Sequence, residues 1–333
     1  MAPMSQWAGI ESDAAVARRP PAPSPATGQG SGNGAAGNGA TGNGSGRPRP
    51  RLKRAERLIT GSIDGAAHVL QRRGRHLLVG SALLMIPMTA LTLWLSVLAY
   101  DDFDRFDSLF GDRGWIGAEA GGAFFALAVQ SLTAHLVGAY CAAYQVKYQL
   151  GGDPGIREPM VATLRRVPLL LITWALTHWW ALLVALGVIN AELADLAGVA
   201  FFLIPLLTML SALVVLVVPV MMGERVGVRA IPRGIALARR RFGPVMGFVL
   251  ANGLIGGFLV TFIALLPAAA EGTGLLTFGS VRWLVQGVAA QVAALVVVPF
   301  TALAAAEMYL QVRVHAEGLD IVLAADRAFG SPG

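Results

Sequence analysis

Charge is scarce in this chain: Asp, Glu, Lys and Arg make up 14% of its 333 residues, against about 25% in an ordinary soluble domain. That shortage, beside 55% hydrophobic residues, excludes a conventional water-soluble fold. Cysteine is nearly absent too. The single Cys141 allows no internal disulfide, and no cysteine pair exists to hold zinc. The first 50 residues lack the apolar core of a signal peptide and are rich in Gly, Pro and Asn, as in "GNGAAGNGATGNGSG". Such a segment buries too little to fold. No HExxH, GxSxG or GxxxxGK[ST] pattern occurs, so the sequence offers no catalytic constellation and no cofactor or metal site.

What the chain does have is long uncharged apolar runs. Six stretches, about 77–100, 120–145, 168–190, 197–222, 244–269 and 283–310, each reach the roughly 20 residues needed to cross a bilayer core. In lipid the backbone must satisfy its own hydrogen bonds, so each is expected to be helical. The expected fold is an all-α polytopic bundle of six transmembrane helices over residues 55–322. A disordered tail (1–54) precedes it and a short tail (323–333) follows.

The charges alternate between the connections. Of the 26 basic residues, 23 fall in the N-terminal segment, the second and fourth connections and the C-terminal tail; Arg105, Arg113 and Arg282 lie in the others. Those other connections collect acids instead, among them Asp101, Asp107, Asp112, Glu192, Asp195 and Glu271. Because Lys and Arg accumulate on the cytoplasmic side, both termini are expected in the cytoplasm. Arginine outnumbers lysine 24 to 2 in a chain rich in Ala and Gly, a bias that points to a GC-rich bacterium and hence to its plasma membrane.

The densest basic stretch, "GERVGVRAIPRGIALARRRFG" at 223–243, carries six arginines. With Pro232 as first helical residue, Ile235, Ala238 and Phe242 share one face while Arg233 and Arg240 point away. That pattern predicts an interfacial helix whose arginines meet anionic headgroups. Arg165, Arg166, Arg233, Arg239 and Arg240 are the candidate lipid contacts. Similar segments, "IDGAAHVLQRRGRHLL" (63–78) and "GIREPMVATLRRVPLLL" (155–171), precede the first and third spans. Leu70/Arg72, Leu164/Arg166 and Leu237/Arg239 coincide on superposition, suggesting a threefold repeat of interfacial helix plus helical hairpin. Shared need for cytoplasmic arginine would produce the same coincidence.

Ionisable groups inside spans are costly in hydrocarbon and mark interior or functional positions. His135 and His178 lie near the middle of the second and third spans, and sequential spans are commonly neighbours, so the two imidazoles are expected to approach each other. Interhelical hydrogen bonding is the plainer role for them. Pro87, Pro205, Pro219 and Pro299 are candidate breaks or kinks in spans one, four and six.

Two stretches carry a family likeness. "MYLQVRVHAEGLD" (308–320) resembles the closing motif of the bacterial glycerophosphoryl diester phosphodiesterase membrane-domain-like family, through Tyr309, Arg313, Glu317, Gly318 and Asp320. Gln311 stands at that motif's aspartate and His315 at its second arginine. The 223–243 stretch resembles the same family's fourth-to-fifth connection through Glu224, Ala230, Arg233, Arg239, Arg241 and Phe242, with Gly234 at its serine. The resemblance covers about residues 55–322. It implies a six-span module that in some members precedes a soluble phosphodiesterase barrel, for which the residues after 322 leave no room. Phosphodiesterase activity is therefore not expected here. Two classes of function remain. One is a non-enzymatic bundle that scaffolds a membrane or cytoplasmic protein partner, or contacts anionic membrane lipids. The other is a transporter or channel that uses the intramembrane histidines. Nothing points to nucleic acid.

Overall fold

The structure is a computed structural model, and it describes residues 52, 54–55, 57–101, 118–189, 193–278 and 282–329. The N-terminal tail and the acidic segment from 102 to 117, with Asp107 and Asp112, lie outside the described residues, as does Glu192. Ten helices and no strand occur among the described residues. They are α1 Leu58–Asp101, α2 Ala118–Gln149, α3 Arg157–Leu164, α4 Val167–Ile189, α5 Leu193–Val214, α6 Val217–Gly223, α7 Ala230–Arg240, α8 Phe242–Gly272, α9 Arg282–Glu317 and α10 Leu319–Phe329. Six segments, in α1, α2, α4, α5 with α6, α8 and α9, are long and apolar enough to cross a membrane. The six expected spans are therefore present, and the fold is an all-α bundle.

Two interruptions shape the spans. In α1 the helical path breaks at Arg73, whose φ of −129° and ψ of 16° are non-helical, so the basic segment before it is angled off from the span that follows. Helices α1, α5 and α9 run on through Pro87, Pro205 and Pro299. The fourth span is split between Val214 and Val217, and Pro219 explains the break. A proline has no N–H for the carbonyl four residues back and its ring clashes with that carbonyl, which here belongs to Val215.

The last turns of α9 are the hub. Leu303, Ala304 and every residue from Ala306 to Val314 are buried, with α8, α1 and α2 packed around them. Small residues make this possible: Ala304 and Ala306 on α9 and Ala139, Cys141 and Ala142 on α2 are fully buried, and short side chains let helices approach closely. The buried residues concentrate at the arginine-rich end, where α3, α6 and α7 pack around the ends of the spans. Toward the opposite end the helices present apolar side chains outward, including Leu83, Ile86, Leu254, Phe258 and Phe262, as suits contact with acyl chains.

Helix α7 departs from its sequence reading in one respect. It starts at Ala230, so Pro232 is its third residue, still in the first turn where no intrahelical donor is needed. Its buried stripe is Ala230, Gly234, Leu237 and Ala238, and Ile235 is only half-buried. The stripe is covered by protein: a Cβ at Gly234 would lie 3.0 Å from Val217 Cα. The expected burial of this face in the acyl boundary is thus replaced by packing on α6, because glycine at 234 lets the two backbones meet.

Candidate functional site: an ion-pair cluster and a histidine pair

At the arginine-rich end, α7 and the hub helix α9 are joined by a cluster of charges. Glu224, the C-cap of α6, accepts from Arg233 Nε at 3.2 Å (Oε2) and from Nη2 at 3.2 Å (Oε1). Arg233 Nη2 also reaches Glu317 Oε1 at 2.6 Å. From α9, Arg313 Nε donates to Glu317 Oε2 at 2.9 Å, and its Nη1 lies 3.5 Å from Glu224 Oε1. Arg313 Nη1 donates to the Tyr309 hydroxyl at 3.1 Å, which in turn donates to Glu224 Oε1 at 3.4 Å. Two carboxylates and two guanidiniums thus alternate around a closed loop, with Arg240 Nη1 at 3.8 Å from Glu317 on its rim.

The helical repeat explains the geometry. Tyr309, Arg313 and Glu317 are spaced four apart and share one face of α9, while Glu224 and Arg233 bracket the turn that brings α7 back beside it. Gly223 makes room, since a Cβ there would stand 2.9 Å from the Tyr309 ring and hydroxyl. The Arg313 side chain is only 5% exposed, so this is no surface ion pair. Burial works against the Arg233 guanidinium, but the hydrogen bonds and charges of Glu224 and then of Glu317 hold it above its ordinary pKa. The loop's charges are paired with one another, so it fastens α6, α7 and α9 together.

A second polar knot lies on the other face of α9. Glu307 is buried and accepts from Gln145 Nε2 at 2.6 Å, Gln149 Nε2 at 2.8 Å and Gln311 Nε2 at 3.1 Å. Gln311 Oε1 accepts from the Ala55 backbone N–H at 3.0 Å, tying the start of the described chain to the hub. No basic residue pairs with Glu307 among the described residues, so three amide dipoles stand in for a counter-charge.

The two histidines meet inside the bundle. Their rings are 5.3 Å apart between centroids and perpendicular at 89°. His135 Nε2 lies 3.3 Å from Thr173 Oγ1 and His178 Nδ1 2.9 Å from Thr177 Oγ1. Trp174 stacks on His178 and donates its indole N–H to Ser131 Oγ at 3.1 Å. Six polar or aromatic residues of α2 and α4 therefore meet where α2 packs on α4.

No known family, curated protein or solved structure matches the chain. Its function rests on its own residues.

The arginines singled out for lipid contact divide into three positions. Arg165, Arg239 and Arg240 are exposed. Arg166 is half-buried and donates to the Met221 carbonyl at the C-terminal turn of α6. Arg233 is turned to Glu224 and Glu317, so its role here is an internal ion pair instead of a headgroup contact. Of the closing motif, Tyr309, Arg313 and Glu317 enter the cluster. Gly318 takes a φ of +65° to end α9, where glycine is favoured, and Asp320 opens α10 with its Oδ1 buried and without a hydrogen-bond partner among the described residues. Sequence reasoning missed the Glu307 knot. Its signal was present in Gln145/Gln149 and Glu307/Gln311, two polar pairs four residues apart on otherwise apolar helices.

Proposed function

We propose that the chain is a non-catalytic multi-pass protein of a bacterial plasma membrane whose arginine-rich end faces the cytoplasm and binds anionic lipid headgroups. The observation that carries this reading is how the charges of that end are used. The acids are mostly consumed internally: Glu224 and Glu317 by Arg233 and Arg313, Asp153 by Arg73, and Glu158 by Lys147. Meanwhile Arg72, Arg75, Arg157, Arg165, Arg229, Arg239, Arg240 and Arg241 stay exposed. A rim of outward cations around spanning helices attracts anionic headgroups at about 1 kcal/mol per residue near the surface. The resemblance to the glycerophosphoryl diester phosphodiesterase membrane-domain-like family fits this reading, since the two stretches that carry it, 223–243 and 308–320, meet in the ion-pair cluster.

Native mass spectrometry of the gently extracted full-length protein tests the proposal. Retained anionic phospholipid, enriched over the bulk membrane, is expected. A stoichiometric protein partner without bound lipid would favour a scaffold instead, and neither would leave the lipid reading without support. The second reading, transport, draws on the His135–His178 contact. It predicts solute or proton flux in liposomes that either His→Phe change abolishes.

A further inference from the structure

The two carboxylate oxygens of Glu307 are not equivalent. Oε2 accepts an N–H from Gln145 at 2.6 Å and another from Gln149 at 2.8 Å, which fills its two lone pairs. Oε1 accepts one, from Gln311 at 3.1 Å, and keeps a lone pair free among the described residues. The other end of the Gln311 amide is engaged as well, since its Oε1 takes the Ala55 N–H at 3.0 Å. An amide donates at one end and accepts at the other, so a single orientation serves both contacts. The ionised carboxylate draws the amide N–H toward itself, and that aims the amide oxygen at Ala55.

The knot suits a proton better than a larger cation. A Cβ at Gly65 of α1 would stand 2.9 Å from Glu307 Cγ and 3.3 Å from its Oε1, so α1 closes on the carboxyl group and leaves no space there for a metal ion with its oxygen shell. No group of three metal-ligating side chains occurs among the described residues. A charge buried without a counter-charge is costly, and a proton removes it without needing room. Other titratable groups stand apart. Asp64 and His68 of α1 and Arg54 and Arg57 before it are exposed. On α2, Tyr144 is turned to His76, and Tyr148 beside Gln149 is likewise a phenol, whose ordinary range lies far above that of a carboxylic acid. Helix α8 carries only Glu271, at its far end. Glu224 and Arg233 belong to the cluster on the opposite face of α9, and Asp320 opens α10. His315, one turn beyond Gln311, is the imidazole that touches the knot, with Nδ1 2.9 Å from the Gln311 carbonyl.

We propose that Glu307 is a proton-binding site whose occupancy, transmitted by Gln311, loosens the chain before α1 from the hub helix. A proton from water adds to Oε1, forming an O–H bond and cancelling the charge. Oε2 keeps Gln145 and Gln149, as a carbonyl oxygen can. The new O–H needs an acceptor, so the Gln311 amide turns over: its oxygen accepts from Glu307 and its NH2 faces the Ala55 N–H, donor against donor. Ala55 is half-buried, so water takes up its N–H. Turning Gln145 instead would strand an NH2 on a fully buried side chain. The second tether, from the Leu52 N–H to the Gln149 carbonyl at 3.3 Å, is untouched. The device does not depend on lipid binding.

The test is hydrogen exchange at the Ala55 amide, read by mass spectrometry on the full-length protein in nanodiscs from about pH 9 to about pH 4 and corrected for the intrinsic effect of pH. Protection should be present at the alkaline end and fall about threefold to tenfold toward the acid end in a single-proton step, as for loss of one hydrogen bond. Glu307→Gln, whose NH2 stands in for the O–H of the acid, should hold Ala55 at the low level throughout while α9 stays protected. Gln311→Leu should also be low at every pH, and His315→Gln should keep the step. A wild-type profile without a step overturns the proposal, as does a step that survives in Glu307→Gln or Gln311→Leu. Loss of the step in His315→Gln assigns the proton to the imidazole and overturns it too. Should Glu307→Gln strip protection from α9 as a whole, the wild-type, Gln311→Leu and His315→Gln profiles decide by the same criteria.

Discussion

Replacing Glu224 by Gln keeps the side chain's size but takes one negative charge from the loop of Glu224, Arg233, Arg313 and Glu317. Glu317 alone would then face both guanidiniums, at 2.6 Å from Arg233 and 2.9 Å from Arg313, and one positive charge would go uncompensated. Removing one partner from a buried ion pair costs about 3 to 5 kcal/mol. The lower figure applies here, because Glu317 still gives each arginine a partner and Arg233 is 29% exposed. Neutralising Arg233 to Gln in the same molecule restores the balance and should recover most of the loss. A double-mutant cycle on reversible unfolding in mixed micelles should therefore give a Glu224–Arg233 coupling of about 2 kcal/mol or more. The Lys147–Glu158 pair, with side chains 41% and 60% exposed, is the control and should couple by less than about 1 kcal/mol. Equal coupling in the two pairs would refute the view that the inner loop fastens α7 to α9.

Three further outcomes follow from the same geometry. Gly223→Ala should cost about 1 to 3 kcal/mol by overpacking, since its Cβ would stand 2.9 Å from the fully buried Tyr309 ring; an unchanged unfolding midpoint would contradict that contact. His135→Phe and His178→Phe should each cost about 1 kcal/mol, and the double change should cost less than their sum because the rings touch at 5.3 Å; strict additivity would argue against the contact. In a Cys141→Ser background, single cysteines at the exposed Ala236 and Gly274 should label from opposite sides of the membrane, with only Gly274 reached by an impermeant reagent in intact cells. Labelling of the Ala236 site there would invert the topology.

The bundle was legible in the sequence because hydrocarbon imposes a constraint that composition reveals directly: a span must be apolar over its whole length. The histidine contact was legible for a related reason, since consecutive spans pack side by side and only two imidazoles lay deep within them. The ion-pair cluster was legible only in fragments. The four-residue spacing of Arg313 and Glu317 suits a helical ion pair, but its burial and its union with Glu224 and Arg233 depend on how α7 folds back against α9, across some 85 residues. Helix α7 shows the converse failure. Its charge pattern matched an interfacial helix, yet periodicity does not tell lipid from protein as the cover for an apolar face, and Gly234 decided in favour of protein. The left-handed backbone of Arg225, with a φ of 53°, left no trace in the sequence, because an arginine after a helix end usually signals only favourable charge.

The claim that the arginine-rich end binds anionic lipid is tested most directly by the stability of the whole protein in nanodiscs whose phosphatidylcholine is replaced stepwise by phosphatidylglycerol. A ligand that binds only the folded state raises stability as its concentration rises. The account predicts an unfolding temperature that climbs with anionic lipid at low salt and a gain that shrinks as ionic strength increases. An unfolding temperature independent of headgroup charge at every salt concentration would contradict it.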